Sequence, residues 1–232
     1  MLEAEFDRFA EEYDRQHTDN IKLSGERPEF FHRYKIEDVV AVCRRIGLAP
    51  RRILDFGAGV GNSLAYLRQG FPDSEIVLLD PSARSLDIAR SRFPGEADFR
   101  TFDGHNIPFE TGYFDLVFTA CVFHHIPPNE HVPLLGEIRR VMSSGGSFFI
   151  FEHNPYNPLT VHAVNTCPFD ENAVLIGART LRKRLATAGF QNAGTTYRIF
   201  FPRTLSELRP LEKFLAKLPL GAQYYVHVTK RD

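Results

Sequence analysis

The length and composition of the chain suit a single globular domain with a sizeable core. The chain has 232 residues, of which 43% are hydrophobic and 25% charged, and its formal net charge is −1. A charge so close to zero gives no general attraction to phosphate backbones, so we expect no nucleic-acid substrate.

The sequence contains no pattern typical of export or membrane insertion. The first residues, MLEAEFDRFAEEYD, are acidic and amphipathic, and the longest apolar run, near Leu116 to Phe123, is far shorter than the roughly 20 residues of a membrane span. The three cysteines lie far apart without a C-x-x-C spacing, which argues against a disulfide framework and a zinc knuckle. We therefore expect a cytoplasmic protein without a membrane span.

Two amphipathic helices are predicted before the first strand. The apolar residues of FDRFAEEYD recur at i, i+3, i+4 and i+7, so residues 4 to 15 are predicted to be helical. A second helix is predicted from about Phe30 to the residue before Gly47. We interpret residues 1 to 48 as a helical cap, and from the residues alone Tyr13 can be an ordinary packing aromatic.

An apolar strand followed by three glycines is the central motif of the chain. Ile53 to Phe56 predict a short buried parallel strand, and Gly57, Gly59 and Gly61 follow at alternate positions. Glycine accepts positive φ and lets main-chain N–H groups approach a ligand, and a helix that begins near Gly61 would add its positive end. Open α/β sheets build nucleotide pockets from such a strand, turn and helix. The third glycine comes one residue earlier than in the G-x-G-x-x-G motif of dinucleotide enzymes.

The next two predicted strands each lead to an aspartate. Glu75 to Asp80 form the second strand, and Asp80 follows the glycine turn by about twenty residues, where a carboxylate can accept hydrogen bonds from ribose hydroxyls. The alternative is that Asp80 caps the helix predicted to start near Pro81. A third strand over residues 97 to 102 leads to Asp103 and Gly104, a dipeptide that also forms plain Asx turns.

A fourth strand leads to a pair of histidines. Residues 113 to 120 are mostly hydrophobic, as in a central parallel strand, and Cys121 to His125 follow directly. The sequence then predicts a helix to about Met142, a terminating turn at residues 143 to 146 and a fifth strand over residues 147 to 152. Repeated strands and helices in this order predict a parallel sheet.

This series of motifs resembles the class I S-adenosylmethionine (SAM) dependent methyltransferases, in particular the small-molecule branch that includes enzymes of ubiquinone and menaquinone biosynthesis. The resemblance rests on DFGAGVG, Asp80, Asp103 with the following IPF, and CVFHHIP. It implies SAM as cofactor, a contact of Asp103 with the adenine amino group, a lid built by the N-terminal helix, and the Cys121 segment beside the sulfonium. The residues assigned to the SAM site are Tyr13, Asp55, Gly57, Ala58, Gly59, Gly61, Asp80, Pro81, Asp103, Gly104 and Cys121.

The C-terminal third departs from simple strand and helix repeats. Residues 153 to 177 contain several prolines and form a long connection, which we interpret as an insertion that builds the substrate pocket. A helix is predicted over residues 180 to 188 and another over 205 to 218, between strands at 195 to 201 and 223 to 229. The expected fold is α/β: a Rossmann-like seven-stranded sheet, mostly parallel with an antiparallel C-terminal strand, helices on both faces, and a methyltransferase domain over residues 49 to 232.

Acid–base chemistry is assigned to two histidines. Methyl transfer from a sulfonium is an in-line displacement, so the protein aligns the acceptor and, for a hydroxyl or protonated amine, supplies a base. His125 and His153 both follow predicted strands, and either can be that base or a structural residue. The His, Glu and Cys residues of this region lack the spacing of a metal site, so no metal is predicted. Cys121 is interpreted as a small apolar contact, because nothing near it in sequence lowers its pKa.

The leading hypothesis is a SAM-dependent methyltransferase that acts on a small molecule through an O, N or C nucleophile. A catalytically silent SAM-binding module remains an alternative, because the glycine motif alone does not separate the two. An NAD-dependent oxidoreductase is disfavoured by the spacing of the glycines.

Overall fold

One seven-stranded sheet organises the part of the chain that the computed structural model describes, residues 24–167 and 170–231. The strand order is β3-β2-β1-β4-β5-β7-β6. The strands are β1 (Arg52–Phe56), β2 (Glu75–Asp80), β3 (Asp98–Thr101), β4 (Phe114–Ala120), β5 (Met142–His153), β6 (Gly194–Arg198) and β7 (Gln223–Thr229).

The pairing of the strands confirms the predicted fold class. Strands β1 to β5 pair with their neighbours in parallel, whereas β7 is antiparallel to both β5 and β6, between which it lies. Because β1, β2, β4 and β5 run the same way, their carboxyl ends meet at one edge of the sheet. This edge is where open α/β folds bind ligands.

Helices cover both faces of the sheet and divide the core into two clusters. They are α1 (Pro28–Ile46), α2 (Leu64–Gly70), α3 (Ala83–Arg92), α4 (His131–Val141), α5 (Pro158–Asn165), α6 (Ala178–Thr187) and α7 (Glu212–Leu215). On one face, Val39 of α1 and Leu67 of α2 pack with the sheet residue Leu78. On the other, Leu135 of α4 and Leu181 of α6 pack with sheet residues such as Val117, which completes a three-layer α/β/α domain.

Helix α1 is the second of the two helices predicted before β1. It ends at Ile46 because Gly47 adopts a left-handed φ of 74° and its N–H caps the last turn. The buried side of α1 shares a core cluster with α2 and the sheet, so this described portion of the predicted cap is integral to the sandwich. The first predicted helix and Tyr13 lie outside the described residues, and the division at residue 48 stays a prediction.

Two expectations about the C-terminal half are wrong. The turn predicted at residues 143 to 146 belongs to β5, where the register against β4 shifts and Gly145 and Gly146 bond to Lys230. The helix predicted over 205 to 218 is instead a 3₁₀ segment, Arg203–Leu211, followed by the single turn α7. Pro210 lacks an N–H for a regular helix, and the Glu212 carboxylate turns inward to accept from the main-chain N–H groups of residues 199 to 201.

None of the helices in residues 24–167 and 170–231 is both long and apolar enough to cross a membrane. A cytoplasmic location stays a prediction.

Candidate functional site

A cavity of about 320 Å³ lies at the carboxyl ends of the parallel strands. Its walls include the glycine turn after β1, the end of β2, the segment after β4 and the end of β5, together with residues of α1 and α5. Eight of the predicted site residues line it: Asp55, Gly57, Ala58, Gly59, Asp80, Cys121, His125 and His153. Gly61, Pro81, Asp103 and Gly104 do not belong to its lining.

The three glycines of the turn have different structural roles. Gly57 has φ 73°, and a Cβ there would lie 2.5 Å from the Cγ2 of Val122, so only glycine fits. Gly59 has φ 52° and no atom near the position of a Cβ, which would project into the open cavity. A Cβ on Gly61 would meet Ala89 and Leu78, so this glycine permits packing of α3 and β2 rather than ligand approach. Helix α2 begins only at Leu64, later than predicted.

Asp80 links the end of β2 to the glycine turn. Its Oδ2 accepts a hydrogen bond of 2.8 Å from the N–H of Gly59, and its Oδ1 accepts one of 2.9 Å from Ser82. Ser82, rather than Asp80, caps α3, because its side chain accepts from the N–H of Ser85. The ribose role of Asp80 stays a prediction.

Asp55 is a buried carboxyl group next to Asp80. Only 3% of Asp55 is exposed, and its Oδ2 has no hydrogen-bond partner in the described part of the protein. Burial and the negative charge of Asp80 raise the pKa of Asp55 to about 8. The group is therefore protonated at neutral pH, and its predicted contact with the cofactor stays a prediction.

Asp103 adopts the Asx-turn alternative. It is exposed, and its carboxylate accepts from the N–H groups of His105 and Asn106 and from the side chain of Asn106. These hydrogen bonds, with the main-chain bond from Asn106 foremost, lower the pKa of Asp103 to about 2. The predicted contact with adenine stays a prediction, since turn and ligand roles can coexist in one residue.

Cys121 lies at a strained position beside two basic groups. It has φ 60°, which is unusual for a residue with a side chain, and its Sγ is 3.5 Å from the Nζ of the buried Lys35. Although burial alone would raise the pKa of the Cys121 thiol, Lys35 and His153 lower it to about 6. The fold therefore gives Cys121 a thiolate character that the neighbouring sequence does not predict.

His153 is the second basic group beside Cys121. Burial alone would lower the pKa of His153, but the Cys121 thiolate raises it above its ordinary value. Its Nδ1 lies 3.3 Å from the amide nitrogen of Gln223. The side-chain oxygen of Gln223 accepts a hydrogen bond from the buried Tyr34 hydroxyl. A chain of polar groups from α1, β5 and β7 thus holds His153 in the cavity wall.

A second cluster contains both histidines that follow β4. The Nδ1 of His124 is 2.6 Å from the Oε2 of Glu152, and the Nε2 atoms of His124 and His125 each lie 3.4 Å from the Oδ1 of Asp170. Burial opposes a charge on His124, but Glu152 and Asp170 raise its pKa to about 10. Burial and the charge of His124 lower the pKa of His125 to about 4, so His125 is neutral at neutral pH and a weak base there.

The sequence does not identify Lys35 or Asp170 as functional candidates, and it shows the position of Glu152 but not its role. Lys35 occupies the middle of a helix without any motif, and its approach to Cys121 depends on how α1 packs. Asp170 belongs to the predicted insertion, but only the fold brings it to the histidines. The sequence shows that Glu152 lies at the end of a strand, but it does not predict the hydrogen bond between Glu152 and His124.

Comparison with known proteins finds methyltransferases. Residues 54–150 match the family described as a methyltransferase domain. The chain is 32% identical over 152 residues to demethylmenaquinone methyltransferase of Thermotoga maritima, covering 66% of this chain and 61% of that protein. It is 34% identical over 102 residues to trans-aconitate 2-methyltransferase of Methylobacterium radiotolerans, covering 42% and 36%. The chain thus spans less than two thirds of the length of these relatives.

Solved structures support the fold. A structure from Thermotoga maritima, described as a SAM-dependent methyltransferase and possible histamine N-methyltransferase, superposes over 100% of both chains with a TM-score of 0.68 at 18% identity. Phosphoethanolamine N-methyltransferase 2 of Haemonchus contortus in complex with S-adenosyl-L-methionine superposes with a TM-score of 0.59 at 20% identity, over 84% of this chain and 53% of that one. Residues 54–150 therefore match the methyltransferase domain family, and the sheet has the fold of SAM-dependent methyltransferases, one of which was crystallised with S-adenosyl-L-methionine.

Proposed function

We propose that the protein transfers the methyl group of SAM to a small-molecule acceptor within the described cavity. The observation that carries the proposal is the position of the glycine turn. Gly59 leaves the cavity open beside Asp80, while Cys121, His125 and His153 line the same cavity. Cofactor and acceptor would thus meet between the ends of β1 and β2 and the ends of β4 and β5.

The insertion supports the acceptor side of the proposal. Helix α5 starts at Pro158, where proline tolerates the first turn, and the Asn157 side chain caps it by accepting from Thr160. Residues of this helix and Asp170 line the cavity. Residues 153 to 177 are therefore proposed to shape the acceptor pocket.

The direct test combines binding with turnover. Calorimetry should show binding of S-adenosylhomocysteine and not of NAD, and incubation with SAM and an acceptor panel should give a product heavier by one methyl group. The panel includes demethylmenaquinone and trans-aconitate, for which two relatives are named. Binding without turnover on any acceptor favours the silent SAM-binding module, and preferential binding of NAD contradicts the proposal.

Replacing Asp80 with alanine is expected to weaken cofactor binding. The change removes the proposed ribose acceptors and the partner of the Gly59 N–H, a loss of about 1 to 3 kcal/mol, or about fivefold to 150-fold in affinity for S-adenosylhomocysteine. Asp98→Ala, which removes an exposed carboxylate paired with Arg100, is the matched control. Unchanged calorimetric affinity in a folded Asp80→Ala protein refutes the ribose role.

Cofactor binding is expected to release a proton from Asp55. The pKa of about 8 keeps this carboxyl protonated at lower pH, and a cofactor amino group that carries positive charge favours the ionised form. Affinity should therefore rise with pH, by up to about tenfold per pH unit, and level off above about pH 8. Calorimetry at neutral pH in two buffers of different ionisation enthalpy measures the released proton. Asp55→Asn should lose this release; an equal proton count in both proteins contradicts the link.

The two predicted catalytic histidines differ in their surroundings. His153 is proposed as the acid–base residue, because it lines the cavity and pairs with Cys121. The general-base role predicted for His125 is less well supported, since its pKa of about 4 makes it a weak base near neutrality.

A further inference from the structure

We propose that His124, His125 and Asp170 form a binding site for a divalent transition-metal ion in the wall of the cavity. The Nε2 atoms of both histidines and a carboxylate oxygen of Asp170 lie within 4.8 Å of one another. All three residues line the cavity. This arrangement of two imidazoles and one carboxylate is nowhere apparent in the sequence, because Asp170 lies far along the chain from the histidines.

The distances fit one ion held at the centre of the cluster. Each Nε2 is 3.4 Å from the Oδ1 of Asp170. Ligand atoms held about 2.1 Å from a tetrahedral ion are separated from one another by about 3.4 Å. Two of the three donor distances therefore already match those of a bound ion, and binding would displace the proton that His124 carries at neutral pH.

The surroundings orient His124 as a ligand. Its Nδ1 bonds to Glu152 at 2.6 Å, and the other oxygen of Glu152 accepts from the N–H of Phe123 at 2.9 Å. A carboxylate that binds the far nitrogen of a histidine fixes the ring and directs its Nε2 toward a metal. His124 and Glu152 are buried to 2% and 1% exposure, so this orientation is rigid.

The donor set also indicates the class of ion. Imidazole suits zinc, cobalt, iron and copper, whereas magnesium and calcium prefer oxygen ligands. The carboxylates of Glu152 and Asp170 supply the negative charge that a divalent cation balances. We therefore expect zinc or cobalt in preference to magnesium.

A role in catalysis rests on the proposed function. With these three protein ligands, a four-coordinate ion would keep one position for an acceptor hydroxyl. The ion would weaken the O–H bond, and the proton would pass to water or to His153, which would in turn give its own proton to the Cys121 thiolate. The oxygen would attack the methyl carbon as its bond to sulfur breaks. S-adenosylhomocysteine then leaves as a neutral thioether. This assignment replaces the general-base role of His125.

Metal binding by the full chain tests the site independently of turnover. After chelation and dialysis, titration with Co²⁺ should give one visible absorption band at one ion per chain, and Zn²⁺ should abolish it. Asp170→Asn, nearly isosteric, should weaken Co²⁺ binding at least about 10-fold, and Glu152→Gln about 10- to 100-fold. Asp87→Asn and His105→Gln, both exposed, are the controls and should bind as the wild type does.

Each outcome decides the proposal. No Co²⁺ binding by the folded wild-type chain overturns it, as does equal binding by Asp170→Asn. A thiolate-to-cobalt charge-transfer band would place Cys121 among the ligands and also overturns it. Stoichiometric Co²⁺ binding without methyl transfer supports the site and counts only against the proposed function, so the two failures are distinguishable.

Discussion

Replacing Glu152 with alanine is expected to lower the free energy of unfolding by about 3 to 5 kcal/mol. Glu152 is 1% exposed and is the partner of both the His124 ring and the N–H of Phe123. Without Glu152, the buried, positively charged imidazole of His124 lacks its main compensating carboxylate, and the buried N–H of Phe123 lacks its acceptor. Urea unfolding at neutral pH measures the change.

Two further variants separate lost charge from lost packing. Glu152→Gln keeps the shape and one hydrogen bond, so it should lose less stability than Glu152→Ala. In a His124→Ala background, Glu152→Ala should lower the free energy of unfolding much less than it does in the wild type, because no buried imidazolium is left without its carboxylate. Strict additivity of the two single changes, or a loss below about 1 kcal/mol for Glu152→Ala, would show that the pair is not the stabilising unit.

The change His153→Ala is expected to lower kcat by about 10² to 10⁴ and leave the affinity for S-adenosylhomocysteine nearly unchanged. His153 lines the cavity at the end of β5, apart from the glycine turn and Asp80 that are assigned to the cofactor. A residue that takes the acceptor's proton acts in the transition state rather than in cofactor recognition. Steady-state kinetics on the acceptor that the panel identifies, with calorimetry on the same protein, separates the two effects.

Two comparisons sharpen this test. His153→Asn keeps a hydrogen-bonding side chain but cannot carry the proton, so it should be nearly as slow as His153→Ala. His105→Ala, a change at an exposed histidine outside the cavity, should retain wild-type kcat. Near-normal activity of His153→Asn would mean that the acceptor has no proton to lose, as for a carboxylate, and that proximity alone suffices.

The parts of the fold that could be predicted are those with a local physical signature. Local sequence patterns are enough to recognise the apolar runs of β1, β2 and β4 and the glycines that follow β1. The turn predicted at residues 143 to 146 shows the limit, because serine and glycine signal a turn locally while Phe114 and Lys230 supply sheet partners from elsewhere. Local propensity was overridden by tertiary pairing.

The site was predictable only where its residues follow a strand. Asp80, Cys121, His125 and His153 could be assigned to one edge of the sheet because parallel strands end together. The thiolate character of Cys121 could not, since Lys35 comes from α1 and the contact depends on helix packing. The same holds for Asp170, whose meeting with the histidines is a property of the folded insertion.

The position of β7 has a consequence for how the domain folds. It is the last of the seven strands along the chain, yet it forms seven residue pairs with β5 and separates β5 from β6. Until β7 has been synthesised, one whole side of β5 presents unpaired main-chain groups and the apolar row from Phe148 to Phe151. Closure of the sheet is therefore a late, long-range event during synthesis, when chaperones have most opportunity to bind the nascent chain.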